Sequence, residues 1–306
     1  MRLATAVFAP LLLAAPLAGQ AAPARAPAGE KPALLWSKLE HAISELDARL
    51  DGVLAVAIKD LSDGRTFLLH ADEVLPTAST IKLAILAELY RQDAAGGARL
   101  ADGYQVDSAD FLPGGDLLAG LTPGVTRLTN RDLAMLMASV SDNSATNVLI
   151  RRVGLERVNA LLDSLGLTAT RLRRPMLDLA AARAGRENTA SARELVALLE
   201  ALWGPRLLPA ARREDLFRLL TIPKERYLPR LLPESARMAS KPGWLEGVRV
   251  DAGIGLVPHR PFAIAVMITY AGDERAAEQA IAEIGLLAWR HFERLGSGGA
   301  YGRRMP

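Results

Sequence analysis

The feature that most constrains this chain is the wide separation of its strand-forming segments. Val53 to Ile58 and Thr66 to His70 are short apolar runs joined by Asp60-Leu61-Ser62-Asp63-Gly64, a spacing that predicts a hairpin. Three further runs, Ala236 to Lys241, Val248 to Val257 and Phe262 to Tyr270, occur only near the C-terminus. From Ser79 to about Leu202 apolar residues recur mostly at helical spacing. Helical stretches there include Asn130 to Ser139, Ser144 to Val153, Leu155 to Leu165 and Ala192 to Leu202. Helices also flank the strands, one over Leu34 to Leu50 and a last one from about Glu274 to Arg294. Short strands joined by tight turns pair antiparallel. The order therefore predicts an α/β chain of the α+β type. A five-stranded antiparallel sheet would carry the first and last helices on one face, with an all-α subdomain inserted between strands two and three. The expected divisions are 32–75 with 220–295 for the sheet unit, 76–219 for the helical insert and 296–306 for a tail. An active site would lie in the groove between the two parts.

Composition narrows the function. With 50% hydrophobic and 23% charged side chains the chain is ordinary globular protein, which excludes disordered and collagen-like classes. A net charge of +3, with no long Lys/Arg run, argues against a nucleic-acid partner. The absence of cysteine excludes disulfides, thiolate catalysis and thiolate-held zinc. His41, His70, His259 and His291 have neither metal-ligand spacing nor a triad arrangement, so no metal or other cofactor is expected. Met1-Arg2, a Leu3 to Leu17 apolar run broken by Pro10 and Pro16, and Gly19-Gln20-Ala21 together predict a secretory signal peptide over 1–21. An Ala/Pro linker over 22–31 follows. The expected product is a periplasmic or secreted monomer, off the membrane once cleaved.

Three short motifs carry chemistry. Ser79-Thr80-Ile81-Lys82 opens a predicted helix, where one turn brings the hydroxyl and the amine onto one face. A serine needs a neighbour to take its proton, and a buried lysine beside positive charge can stay neutral enough to do so. Ser141-Asp142-Asn143 offers a hydroxyl to relay a proton, a carboxylate suited to capping the next helix, and an amide that can bind a carbonyl. Lys241-Pro242-Gly243-Trp244 ends a predicted strand, with a cation for the groove and a glycine that admits close approach. Each motif alone also fits a plain role: a cap with a surface lysine, a capping turn, a Pro-Gly strand end.

Together the three resemble the Ser-x-x-Lys, Ser-Asp-Asn and Lys-Thr-Gly set of penicillin-recognising serine enzymes. Their order and separations, 62 residues from Ser79 to Ser141 and 100 more to Lys241, are most similar to class A β-lactamases. The resemblance extends through Leu165-Gly-Leu-Thr-Ala-Thr-Arg-Leu172 and covers roughly residues 34 to 295. It implies that Ser79 is the acylated nucleophile and Lys82 its general base. Ser141 would pass the proton to the leaving nitrogen, Lys241 would tune local charge, and Asn143 would hold the substrate's side-chain amide. The oxyanion would sit on the backbone N–H groups of Ser79 and Trp244, next to Gly243.

Two departures bear on the reaction. The resemblance implies a loop like Trp-Glu-Pro-x-Leu-Asn whose glutamate activates the deacylating water. Here the chain reads Arg173-Arg-Pro-Met-Leu-Asp-Leu-Ala180, with Met176 at the glutamate and Ala180 at its asparagine partner. Asp178 is the nearest carboxylate and the candidate replacement water activator. The same loop is also similar to the Met-x-Asp … Gly-x-Glu-Asn pattern of β-lactamase-related serine hydrolases, in which Asp178 and Glu187-Asn188 would hold loop shape instead. The second departure is Pro242, which removes a hydroxyl expected to bind the substrate carboxylate. A hydrogen bond to a charged group is worth about 1.5–3 kcal/mol. Arg249 is the candidate substitute cation or a solvated arginine, and Trp244 a candidate pocket wall or a shield for the strand end. The expected activity is slow hydrolysis of β-lactam-type cyclic amides through an acyl-enzyme. A D,D-peptidase or esterase, and a non-catalytic ligand-binding protein, are the alternatives.

Overall fold

The computed structural model describes residues 30–114, 116–224, 227–299 and 302–303. The leader expected over 1–21, most of the linker and part of the tail lie outside them. The described residues begin with α1 (Glu30–Arg49), β1 (Val53–Asp60), β2 (Thr66–Leu69), β3 (Leu75–Pro76) and α2 (Lys82–Ala94). Next come β4 (Gly103–Gln105), β5 (Arg127–Thr129), α3 (Asn130–Ser139), α4 (Asn143–Val153) and α5 (Leu155–Ser164). They are followed by α6 (Leu179–Arg183), β6 (Thr189–Ala190), α7 (Ala192–Trp203) and α8 (Ala210–Thr221). The last elements are β7 (Met238–Leu245), β8 (Val248–Gly255), β9 (Phe262–Thr269) and α9 (Glu274–Ser297).

The sheet is five-stranded and antiparallel throughout, in the order β2-β1-β9-β8-β7. Both faces are covered, so β8 and β9 are buried along their whole length and read as nearly unbroken apolar runs. Strand parity sorts the side chains. Leu54, Val56 and Ile58 of β1 and Ile264, Val266 and Ile268 of β9 pack with the terminal helices α1 and α9. Ala55, Ala57, Ala263, Ala265 and Met267 face the helical layer built on α2, together with Val250, Ala252 and Ile254. On α1, Trp36, Leu39, Ile43 and Leu46 recur every three or four residues and supply its buried stripe. The block between β2 and β7 also holds two small antiparallel ribbons, β3–β6 and β4–β5, and the helix α8, which the sequence pattern did not announce. Among the described residues no helix is long and apolar enough to cross a membrane.

The layer between α1 and α9 buries a histidine. His291 lies edge-on to Trp36, with ring centroids 4.6 Å apart, and its Nε2 has no hydrogen-bond partner. Burial, reinforced by the Arg65 and Arg294 charges, lowers its pKa from 6.5 to about 4. Its folded pKa is below its unfolded one, so the stability it conserves is complete above pH 6.5 and is lost as pH falls towards 4. That loss amounts to about 3 kcal/mol. A His291→Leu variant should therefore show a smaller fall in thermal midpoint than the parent between pH 6.5 and 4, measured by circular dichroism. Equal falls would place the acid sensitivity elsewhere.

Candidate active site

The chain enters α2 through a sharp corner. Thr77 donates its backbone N–H to the Asn188 carbonyl at 2.9 Å, and Ala78 then takes φ 46°, the left-handed region an alanine rarely adopts. A 3₁₀ turn over Ala78–Ile81 carries Ser79, and Lys82 begins the α-helix. In 3₁₀ geometry residues i and i+3 eclipse, which aligns Ser79 and Lys82. Helix α2 is buried over nearly its whole length, so Lys82 is fully enclosed.

The loop between α3 and α4 supplies the facing wall. Asp142 caps α4 by accepting from Ala145 N at 2.7 Å, and its other oxygen accepts from Leu118 N at 2.8 Å. Held this way, Ser141 adopts φ 59° and meets both lysines. Lys82 Nζ donates to the Ser141 carbonyl at 2.6 Å, to Ser141 Oγ at 3.0 Å and to Asn143 Oδ1 at 2.9 Å. Lys241 Nζ donates to the same Ser141 Oγ at 3.1 Å and to the Pro242 carbonyl at 2.8 Å. The three hydrogen bonds of Lys82 go to Ser141 and Asn143, not to Ser79, which lines the cleft. Burial, then the Lys241 charge, depresses the Lys82 pKa well below the usual lysine range, against the pull of Asp116 and Asp142. Burial likewise lowers Lys241 to about 7, against the buried Asp251 carboxylate. A proton can pass between two such amines through one hydroxyl.

Strand β7 closes the other side. It runs from Met238 through Lys241-Pro242-Gly243-Trp244 to Leu245, so the motif lies inside a strand and not at its end. Pro242 is tolerated because β7 is an edge strand, where a missing N–H need not break a ladder. Gly243 passes so close to the corner that a Cβ would lie 2.6 Å from Ser79 N and 2.9 Å from the Thr77 carbonyl. Glycine is required there by this approach.

Ser79, Ser141, Asn143, Asp116, Met176 and Trp244 line a cleft of about 520 Å³. Ser141 and Trp244 also line an adjoining lobe of about 360 Å³ with Lys224, Tyr227, Lys241 and Pro242. Trp244 is 69% exposed and forms a wall common to both. Two expected site residues are not brought there. Arg249 pairs in register with Ile268, which turns it to the terminal-helix face. It is held by Glu274 at 2.5 Å and Glu278 at 2.9 Å, so it cannot replace the missing hydroxyl. Asp178 caps α6 through Ala181 N at 2.9 Å and does not line the cleft. The loop around it is tied internally. Asn188 Oδ1 accepts from Arg173 N at 2.7 Å and Arg174 N at 3.1 Å, and the Arg174 guanidinium is paired with Glu187.

Asn147 and Asp116 were not singled out in the sequence. Asn147 grips both backbone groups of Met176, its Oδ1 accepting from N at 2.7 Å and its Nδ2 donating to O at 3.1 Å. It lies one turn after Asn143 on α4, a spacing that marks one helix face. Asp116 accepts from Ser144 N at 2.7 Å and Ser144 Oγ at 2.8 Å, and no local pattern signals it.

Residues 38–292 match the model of the beta-lactamase enzyme family. The chain belongs to this family. A β-lactamase of Streptomyces fradiae is 32% identical over 292 residues, covering 92% of each chain. A β-lactamase regulatory protein of Streptomyces cacaoi is 28% identical, over 80% of this chain and 95% of its own. The crystal structure of a β-lactamase from Sphaerobacter thermophilus superposes with a TM-score of 0.75 at 32% identity, over 83% of this chain and 97% of that one. That β-lactamase shares the α/β fold described above.

Proposed function

We propose that this protein is an exported serine hydrolase of β-lactamase type that opens cyclic amides through an acyl-enzyme on Ser79, without a cofactor. The observation that carries the reading is the Ser141 hydroxyl within hydrogen-bonding distance of two buried lysines whose pKa values are both depressed. In this reading the neutral Lys82 amine takes the Ser79 proton as Oγ attacks the carbonyl carbon. The oxyanion is held by the N–H groups of Ser79 and Trp244. The carbon–nitrogen bond breaks as Ser141 gives its proton to the nitrogen and recovers one from Lys82. Asn143 keeps its Nδ2 for the substrate, since its Oδ1 is occupied by Lys82. Hydrolysis of the acyl-enzyme is slow, because Met176 stands where a carboxylate would activate water.

That same missing carboxylate favours a second reading, a D,D-peptidase or esterase in which β-lactams act as poor, long-lived substrates. Both readings need Lys82. A Lys82→Met variant should lower the acylation rate constant for a chromogenic β-lactam by roughly 10²- to 10⁴-fold, the usual contribution of a general base. In the parent that rate should rise with pH as the Lys82 amine loses its proton. An unchanged rate in Lys82→Met would remove Lys82 from the mechanism.

A further inference from the structure

Another cavity lies away from the cleft and shares no lining residue with it. It holds about 450 Å³ between the end of α7, one face of α8, and the chain where β7 begins and β8 has ended. Its apolar part is made by Trp203, Phe217 and Leu256, and the two rings meet edge-on at 5.5 Å. Phe217 is buried, while Trp203 and Leu256 are half-buried and leave apolar surface for an occupant. The charge around this floor is unbalanced. Arg218 is neutralised by Glu214 at 3.1 Å and Asp215 at 3.6 Å. Arg213 has no such partner: its Nη1 donates to the Gly204 carbonyl at 3.3 Å, and among the described residues it forms no ion pair. Arg237 is exposed, and among the described residues its guanidinium has neither a hydrogen bond nor an ion pair. The Arg237 carbonyl accepts from Leu256 N at 2.9 Å, which fixes the backbone on that side of the cavity. A single unpaired arginine on a surface is ordinary. Here two of them, from different segments, line one cavity with an aromatic floor.

We propose that this cavity is a binding site for a small aromatic carboxylate, its ring against Trp203 and Phe217 and its carboxylate on Arg213 and Arg237. The guanidinium fork matches the two oxygens of a carboxylate, and such charge-assisted pairs are among the stronger hydrogen bonds. Aromatic rings gain further from offset or edge-on contact with one another. The volume falls within the roughly 300–1,000 Å³ of small-molecule sites. An inorganic anion would use the arginines alone, and a neutral ring the floor alone; the cavity offers both. The inference does not depend on the hydrolase reading, since none of these residues takes part in the chemistry at Ser79.

The test titrates 3-phenylpropionate into the mature protein by calorimetry. A dissociation constant on the order of 0.1 mM is expected, ordinary for a ligand of about ten heavy atoms. The corresponding amide, alike in shape but uncharged, should bind about 10-fold more weakly, because it forfeits the charged hydrogen bonds. Arg213→Gln and Arg237→Gln should each weaken the acid by about the same 10-fold. Neither arginine is held in an ion pair, so the thermal midpoint should stay near that of the parent. If Arg213→Gln unfolds, Arg237→Gln and the amide still decide. Arg193→Gln removes an arginine ten residues before Trp203, about 15 Å away along α7, and should leave the constant unchanged. An amide that binds as tightly as the acid would overturn recognition of the carboxylate. No heat of binding at millimolar acid, or one constant shared by the parent and both arginine variants, would overturn the site.

Discussion

Mixed with a fluorogenic penicillin, the mature protein should gain the mass of one ring-opened adduct on Ser79 and hold it for minutes. Ring opening leaves the nitrogen tethered to the acyl group, so the whole lactam mass is retained. Acylation draws on groups that stand together: Ser79 at the cleft, Lys82 within reach of Ser141, and Lys241 on the same hydroxyl. Release requires an activated water molecule, and of the loop residues 173–180 those that line the cleft are Arg174, Met176, Leu177 and Leu179, none of them a carboxylate. The lack of a general base slows a step about 10²- to 10⁴-fold. A turnover near 10 per second then drops to roughly one per ten seconds at best and one per quarter hour at worst. Intact-protein mass spectrometry over time reads this directly. Ser79→Ala should form no adduct, a loss of roughly 10⁴-fold or more in acylation rate. An adduct that decays within seconds would mean that another group activates water. An adduct in Ser79→Ala would place the nucleophile elsewhere.

Much of the fold was legible because its strands are continuous apolar runs between turn residues. Val248 to Gly255 and Phe262 to Thr269 fall where the sequence pattern predicts them, as do α3, α5 and α7 within a residue or so. The reading failed where tertiary contact outweighs local propensity. Pro242 and Gly243 look like a turn, yet an edge position tolerates the proline and the Ser79 backbone demands the glycine, so β7 runs on to Leu245. The ribbons β3–β6 and β4–β5 are two or three residues long, too short for any periodicity to register. Arg249 shows the limit of reasoning from proximity in sequence. It is a cation near the motif, but strand register sends it with Ile268 to the face opposite Lys241, whose partner is Ala252. On sequence alone Asp178 fits both a water activator and a loop support. Its position at the head of Leu179–Arg183 makes it a cap. The site motifs themselves were visible, but the Ser141 bridge between two amines requires the left-handed turn at Ser141, which no pattern announces.

A carboxylate returned to position 176, with an asparagine at 180, should shorten the adduct's life by about 10²- to 10⁴-fold. Asn147 clamps the backbone of Met176 on both sides, so a new side chain there inherits a fixed point of attachment facing the cleft. Met176 is only 7% exposed, and a buried carboxylate in its place is disfavoured until it meets donors or water. Asn143 lines the same cleft and can supply part of that environment. The Met176→Glu/Ala180→Asn variant should therefore release the acyl group quickly while losing roughly 1–3 kcal/mol of stability. Met176→Gln separates the two effects. It matches the volume and polarity but cannot take a proton, so it should lower the thermal midpoint less and leave the adduct long-lived. If the glutamate variant folds and its adduct persists as in the parent, residue 176 does not face the acyl carbonyl. Slow release would then reflect the exclusion of water by the leucine rim, and replacing Leu177 and Leu179 would be the change that restores turnover.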